Sequence, residues 1–138
     1  MNVKEYLSQA HHIDQRINYK VEQLESLREL ATKVNSIMSD MPKGNQNCHI
    51  MEKNIAAIID LENEINNDIN KLLNLKREIT SAVRSVNNPE YQTLLELRYL
   101  DFIDWERIAS KMGYSMPHIF RMHTKAINNL KIFKEESK

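Results

Sequence analysis

Residues 104–119 read DWERIASKMGYSMPHI, and this stretch decides the fold. Asp104 and Ser115 are residue types that cap helices, and each precedes a run of apolar side chains at helical spacing. Between the two runs, Gly113 suits the left-handed backbone conformation that ends a helix. Ala109 is small enough to let two helices cross closely. We therefore predict a helix-turn-helix whose first helix begins directly after Asp104.

The positions around these residues fit the interior of such a motif. We expect its core to contain apolar and aromatic side chains, namely Trp105, Ile108, Met112, Tyr114, Ile119 and Met122. The second helix, expected over about 115–131 and continuing to about Phe133, is the recognition helix. Upstream, Asn88-Pro89 predicts the start of a further short helix that ends near Leu100.

Two long segments, residues 1–38 and 50–86, precede this region and are separated by a polar loop. In the second segment, apolar residues recur every seven positions, at Met51, Ile58, Ile65, Leu72, Ile79 and Val86. The two segments have similar lengths, which predicts an antiparallel, coiled-coil-like helical hairpin over 1–88. A small three-helix domain is expected to follow over 89–138. The fold class is therefore all-α. With only 2 Gly and 3 Pro, the chain lacks the turns that a sandwich or barrel requires.

A two-helix hairpin buries only one stripe of each helix. Apolar side chains outside that stripe are expected to stay exposed, namely Val21, Leu30, Ile37, Ile55, Ile59, Ile69 and Leu73. Pairing of two hairpins into a four-helix bundle would cover them. We therefore predict a homodimer whose interface includes Ile65 and Leu72. The alternative is that part of the apolar surface docks another protein.

The overall composition argues against several classes of partner and site. Basic and acidic side chains number 19 each, so the net charge alone indicates neither a nucleic acid nor a membrane. A single cysteine excludes a disulfide framework, and Cys48-His49 is interpreted as a loop pair rather than a metal site. The start of the chain has no apolar leader, and no apolar run approaches 18 residues. These features predict a cytoplasmic protein without a membrane span.

No arrangement of side chains points to catalysis. The sequence has no glycine-rich phosphate loop and no Ser-His-Asp arrangement. Glu62, Glu64 and Asp68 lie within two helical turns but are expected on the solvent side of the stripe. We therefore predict a protein that is not an enzyme and that needs no cofactor and no metal.

The charge is distributed unevenly along the chain. From Arg107 to Lys134 there are six basic residues and no acid, whereas residues 1–88 contain 11 basic and 12 acidic side chains. His118 and His123 lie in the same basic stretch and are interpreted as neutral or partly protonated residues on the DNA side. The neutral total therefore hides a basic end that coincides with the predicted recognition helix, which favours binding to DNA.

The third segment resembles region 4 of bacterial sigma-70-type factors. The resemblance rests on the runs LRYL at 97–100, WERIA at 105–109 and KAI-x-x-L at 125–130, and it covers about residues 90–132. It is strongest to small phage and prophage regulators of Gram-positive bacteria, including the ArpU/RinA-type late regulators and a related family of unknown function. The hairpin does not match a sigma factor, and regions 2 and 3 are missing. The resemblance implies a regulator that contacts RNA polymerase but does not melt a promoter.

The resemblance also implies which residues contact DNA. It places base-edge contacts at Met116, Pro117 and Arg121, and contacts to the backbone or flanking bases at His118, Phe120 and Lys125. At Met116 and Pro117, this sequence departs from the polar residues that the family usually has.

The side-chain chemistry assigns further roles. Arg121 suits guanine, because its guanidinium can pair with two acceptors, whereas Met116 and Phe120 suit thymine methyl groups. Ser115 can hold a phosphate at the helix N-terminus. The basic residues suited to phosphate contacts are Arg107, Lys111, Lys125 and Lys131.

Two hypotheses follow from these observations. The first is a sequence-specific transcriptional regulator, encoded by a phage or prophage, that binds double-stranded DNA as a homodimer through two half-sites. The second is a phage assembly or packaging protein, or an inhibitor that captures a host protein with its hairpin, in which the helix-turn-helix is secondary.

Overall fold

The computed structural model describes residues 2–40 and 45–130, with side chains described for 2–33 and 49–130. This part of the chain forms five helices: α1 (Val3–Asp40), α2 (Asn45–Arg84), α3 (Pro89–Tyr99), α4 (Trp105–Met112) and α5 (Met116–Asn129). The predicted all-α class is confirmed. The predicted side-chain exposure of Ile37 and the predicted helix end near Phe133 lie outside the described residues.

Each of the three short helices begins at the predicted cap. The Asn88 side chain accepts hydrogen bonds from the backbone N–H groups of Glu90 and Tyr91. Asp104 Oδ1 accepts from the Arg107 N–H at 2.9 Å. Ser115 Oγ accepts from the N–H of His118 at 3.3 Å. These bonds satisfy backbone donors that have no partner in the first turn of a helix, which explains why the boundaries could be predicted locally.

The chain forms two compact units. Among the described residues, the first comprises 2–13 and 72–130, and the second comprises 14–40 and 45–71. In the first unit, the start of α1 and the end of α2 share a core with α3 and α5. In that core, Leu7 and Ala10 of α1 are fully buried together with Ile79 of α2.

The first unit has two adjoining cores. One joins the ends of α1 and α2 to buried side chains of α3 and α5, namely Leu95, Tyr99 and Ala126, and to Leu130 beyond the end of α5. The other lies inside the helix-turn-helix and contains Leu94, Ile108, Ala109, Ile119 and Met122. The residues predicted to face inward in the motif therefore do so. Trp105, Met112 and Tyr114 are half-buried and pack against this second core.

The second unit is an antiparallel pair of helical segments. Lys20 pairs with Asp68 and Arg28 pairs with Glu62, so the numbering rises along one helix as it falls along the other. Ile17, Leu24, Leu61 and Ile65 are buried. Asp68 is also buried, so the prediction that it lies on the solvent side was wrong. Asp68 lies in the apolar stripe opposite Lys20, and the ammonium group of Lys20 neutralises the charge of its carboxylate.

The exposed apolar residues largely match the prediction. Val21, Leu30, Ile55, Ile59, Ile69 and Leu73 are all exposed, as are Tyr19 and Ile50. Ile65, however, is only 7% exposed, so it is used inside the hairpin and does not remain available for a dimer interface. Among the described residues, no helix combines the length and apolar character needed to cross a bilayer.

Candidate nucleic-acid interface

The outer face of α5 is a continuous exposed strip. Its exposed residues recur at intervals of three and four positions, namely Pro117, Phe120, Arg121, Thr124, Lys125 and Asn128. Such spacing places side chains on one face of a helix. The strip extends over about three helical turns and contains no acidic residue. It can therefore present hydrogen-bond donors, a cation and an aromatic ring to one partner.

The opposite face of α5 holds the helix in place. Ile119 and Ala126 are fully buried and Met122 is 5% exposed. His123 lies on this inner face at 6% exposure, so its assignment to the DNA side was wrong. The ring packs edge-on against Trp105, with 4.8 Å between ring centroids, and bonds to the Tyr99 hydroxyl. Burial lowers its pKa to about 4, which keeps the imidazole neutral.

The predicted basic residues are accessible where the structure describes them. Arg121 and Lys125 are exposed on α5, and Arg107 and Lys111 are exposed on α4. Lys131 lies outside the described residues. Glu106 is also exposed on α4, so the acid-free surface belongs to α5 rather than to both helices.

The N-terminal turn of α5 is only partly available to a ligand. Ser115 is exposed, but its oxygen already serves as the helix cap. Met116 is half-buried and packs against the core of the motif. His118 is half-buried, with its ring centroid 4.5 Å from that of Tyr114. Pro117 is exposed but has only apolar atoms in its side chain. The polar chemistry of this face therefore lies further along the helix, from Arg121 onward.

An aromatic and cationic stack supports the centre of the strip. The rings of Trp105 and Phe120 meet at an interplanar angle of 68°, with centroids 5.3 Å apart. The guanidinium carbon of Arg98 lies over the Trp105 ring, 4.5 Å from its centroid. Arg98 Nη1 also donates to the Ile103 carbonyl at 3.2 Å. Because Trp105 is held in this way, Phe120 is positioned while remaining 45% exposed.

The turn of the motif is tied to α3 through Tyr114. Its hydroxyl lies 3.0 Å from both carboxylate oxygens of Glu90 and donates to them. The hydrogen bond and the negative charge of Glu90 raise the pKa of Tyr114. The contact lies at the surface and joins the turn of the motif to the first turn of α3.

Sequence reasoning missed three residues of this region. Thr124 and Asn128 follow Arg121 at helical spacing and could have been found by that spacing alone. Thr124 bonds through its hydroxyl to the Phe120 carbonyl at 3.1 Å. Arg98 lies on α3, and its position against Trp105 depends on tertiary packing. Among the described residues, no group of three His, Cys, Asp or Glu side chains is placed to hold a metal ion.

A protein-family model matches residues 33–131, which is 99 of the 138 residues. The chain belongs to the DUF1492 family. This family is described as proteins of unknown function. No curated protein and no solved structure matches the chain.

The DUF1492 match includes all of α2 to α5 and the end of α1. The exposed strip of α5 and the basic residues of α4 therefore lie inside the region that defines the DUF1492 family. Leu7 and Ala10, which complete a core of the first unit, lie outside the matched residues.

Proposed function

We propose that this protein is a DNA-binding transcriptional regulator of a phage or prophage, that it is not an enzyme, and that it acts as a homodimer in the cytoplasm of the bacterial host. α5 enters the major groove of double-stranded DNA and α4 lies against the backbone. The proposal rests on the exposed strip of α5, which is long, free of acids and unused by the core. A helix of this kind fits the major groove.

Each polar residue of the strip has a partner chemistry. Arg121 pairs with the O6 and N7 acceptors of guanine, and Asn128 suits adenine in the same groove. Phe120 contacts thymine methyl groups. Lys125, Arg107 and Lys111 neutralise phosphates, which increases affinity without reading sequence.

The resemblance to sigma region 4 supports the same conclusion. The runs that carry it supply buried residues of the motif, such as Ile108, Ala109 and Ala126. A protein with this motif and without the promoter-melting regions would act at a promoter through its contacts to DNA and to RNA polymerase.

The deciding experiment has two stages. Selection of bound sequences from random duplex DNA with the full chain should return a defined motif. Arg121→Ala should then weaken binding to that motif by about 1–3 kcal/mol and relax the preference at one base pair. Arg77→Ala, an exposed arginine of α2, is the matched control and should bind as wild type does. Failure to recover any motif, or equal binding by Arg121→Ala, would reject the assigned readout.

A second candidate function is supported by a groove in the second unit. Leu27, Leu30, Ala57 and Leu61 line it, with polar residues at its rim. Such a groove suits a helix of another protein, as in a phage assembly or packaging protein or an inhibitor of a host protein. Binding to DNA without sequence preference, together with a ring-like oligomer on light scattering, would favour this function.

A further inference from the structure

Helix α2 has a second apolar row on a face that the hairpin leaves open. Four of its apolar side chains stay exposed: Ile55 at 49%, Ile59 at 51%, Ile69 at 38% and Leu73 at 49%. Two polar residues complete the row, which then runs at intervals of four and three: Ile55, Ile59, Glu62, Asn66, Ile69 and Leu73. This alternation is the spacing of a coiled-coil seam. The buried side chains Leu61, Ile65 and Leu75 form a different row. Helix α2 therefore has one row that packs within its own chain and a second whose apolar members are exposed and whose Glu62 also pairs with Arg28.

The spacing and the apolar or polar character of the exposed row are symmetric about residue 64. Reversal exchanges Ile55 with Leu73, Ile59 with Ile69, and Glu62 with Asn66. A two-fold symmetric interface requires this property, because residue i must meet residue j while j meets i. The row is therefore complementary to an antiparallel copy of itself.

The polar positions distinguish antiparallel from parallel pairing. In an antiparallel pair, the Glu62 carboxylate, whose Oε1 lies 3.3 Å from Nη2 of Arg28 in its own chain, also meets the Asn66 amide of the second copy, which can donate to its other oxygen. In a parallel pair in register, Glu62 would meet Glu62. One step beyond each end of the row, Glu52 and Lys76 exchange in the same way, so the antiparallel pair brings opposite charges to the same level. Lys76 is half-buried, and its Nζ also lies 4.9 Å from the centroid of the Phe102 ring in its own chain. A parallel pair would bring like charges together at both positions, which is unfavourable.

We infer that two copies of this chain associate through α2 as an antiparallel, two-fold symmetric coiled coil centred on residue 64. The association covers Ile55, Ile59, Ile69 and Leu73, and its two-fold axis is perpendicular to α2. It does not depend on DNA binding, because no residue of the strip on α5 takes part.

Charge exchange at one pair of positions tests both the face and the direction. Ile59→Glu should convert the dimer to a monomer in sedimentation equilibrium without DNA, because two carboxylates would enter the seam. Ile59→Glu combined with Ile69→Lys should restore the dimer, since each glutamate then meets a lysine of the other copy. In a parallel pair, the double variant would place like charges together at both levels and would stay monomeric.

Ile50→Glu is the matched control, since Ile50 is 46% exposed and lies on α2 outside the row. It should remain a dimer. Ile59 is half exposed, so its replacement should leave the helix content measured by circular dichroism unchanged. A monomeric wild-type chain, a dimeric Ile59→Glu variant, or a double variant that fails to recover the dimer would overturn the inference.

Cross-linking gives an independent readout in a Cys48→Ser background. Ile59→Cys with Ile69→Cys should form a disulfide-linked dimer on oxidation. Ile59→Cys alone should not, because the two copies of that position would be about 15 Å apart along the axis, beyond the reach of a disulfide. Cross-linking of the single variant would indicate a parallel pair and contradict the inference. If the chain were monomeric but still selected a DNA motif, the dimer would be rejected and DNA binding would be retained. If the chain were a dimer but selected no motif, DNA binding would be rejected and the dimer retained.

Discussion

His123 Nε2 lies 2.5 Å from the hydroxyl oxygen of Tyr99, inside the first unit and on the inner face of α5. Both side chains are buried, at 6% exposure each. Burial lowers the pKa of His123 to about 4 and raises the pKa of Tyr99 to about 12. The pair is therefore uncharged at neutral pH, and a hydrogen bond between neutral groups attaches the candidate recognition helix to α3.

The buried histidine predicts a loss of stability in mild acid. Burial, with the positive charges of Lys4 and Arg98, holds the folded pKa of His123 near 4, below its ordinary value of 6.5. As the pH falls, the unfolded chain therefore takes up the proton first. The contribution is fully present above pH 6.5 and is lost between pH 6.5 and 4, by about 2–3 kcal/mol in total.

Urea unfolding over this pH range measures the effect. In His123→Gln, the amide can still bond to the Tyr99 hydroxyl but does not titrate. Carboxylates contribute equally to both proteins, so the difference between the two pH slopes isolates the histidine. Identical slopes for wild type and variant would contradict the assignment.

Gly113 predicts a purely backbone effect at the turn of the motif. It has φ +74° and ψ 31°, and no described atom lies within 4 Å of where a Cβ would stand. Gly113→Ala should therefore destabilise the protein by about 1 kcal/mol through the left-handed backbone and not through a clash. Gly113→Asn should cost less, because asparagine tolerates this conformation better. Equal free energies of unfolding for the alanine variant and wild type would rule out this strain.

The ion pair between Lys20 and Asp68 predicts that removing one partner lowers the free energy of unfolding more than replacing both. Nζ and Oδ2 are 2.7 Å apart, with side-chain exposures of 15% and 9%. The hydrogen bond from Lys20 lowers the pKa of Asp68. Lys20→Met should cost about 2 kcal/mol, because it leaves a buried carboxylate without its partner. Lys20→Met with Asp68→Leu should recover most of that loss.

The exposed pair of Arg28 and Glu62 is the control for this measurement. Its atoms are 3.3 Å apart, and its side chains are 57% and 45% exposed. Arg28→Ala should change the free energy of unfolding by less than about 1 kcal/mol. If Arg28→Ala cost as much as Lys20→Met, burial would not be the reason for the difference.

The proposed phosphate contacts predict a change in salt dependence. Lys125→Ala and Arg107→Ala should each reduce the slope of log affinity against log salt concentration by about 1. Both should weaken selected and random duplexes to the same extent, because phosphates carry no sequence information. Titration by fluorescence anisotropy at several salt concentrations provides the slopes. An unchanged slope would remove the residue from the interface.

Local signals in the sequence predicted the helix-turn-helix well. Asn88, Asp104 and Ser115 bond to backbone groups within three residues, and Gly113 provides the backbone conformation that its position requires. Such interactions depend on a few neighbouring residues, so the sequence is sufficient to recognise them. The exposed face around Arg121 followed from helical spacing for the same reason.

The sequence by itself determined the all-α class, the helix starts and the basic, acid-free character of α5, because capping, periodicity and charge are local properties. Only the tertiary structure decided which side chains were covered. Leu7 is buried because distant helices meet it, His123 is neutral because burial removes water from its ring, and Asp68 is paired because α1 brings Lys20 to its level. Burial is decided by residues far away in the chain, and periodicity along one helix does not reveal them.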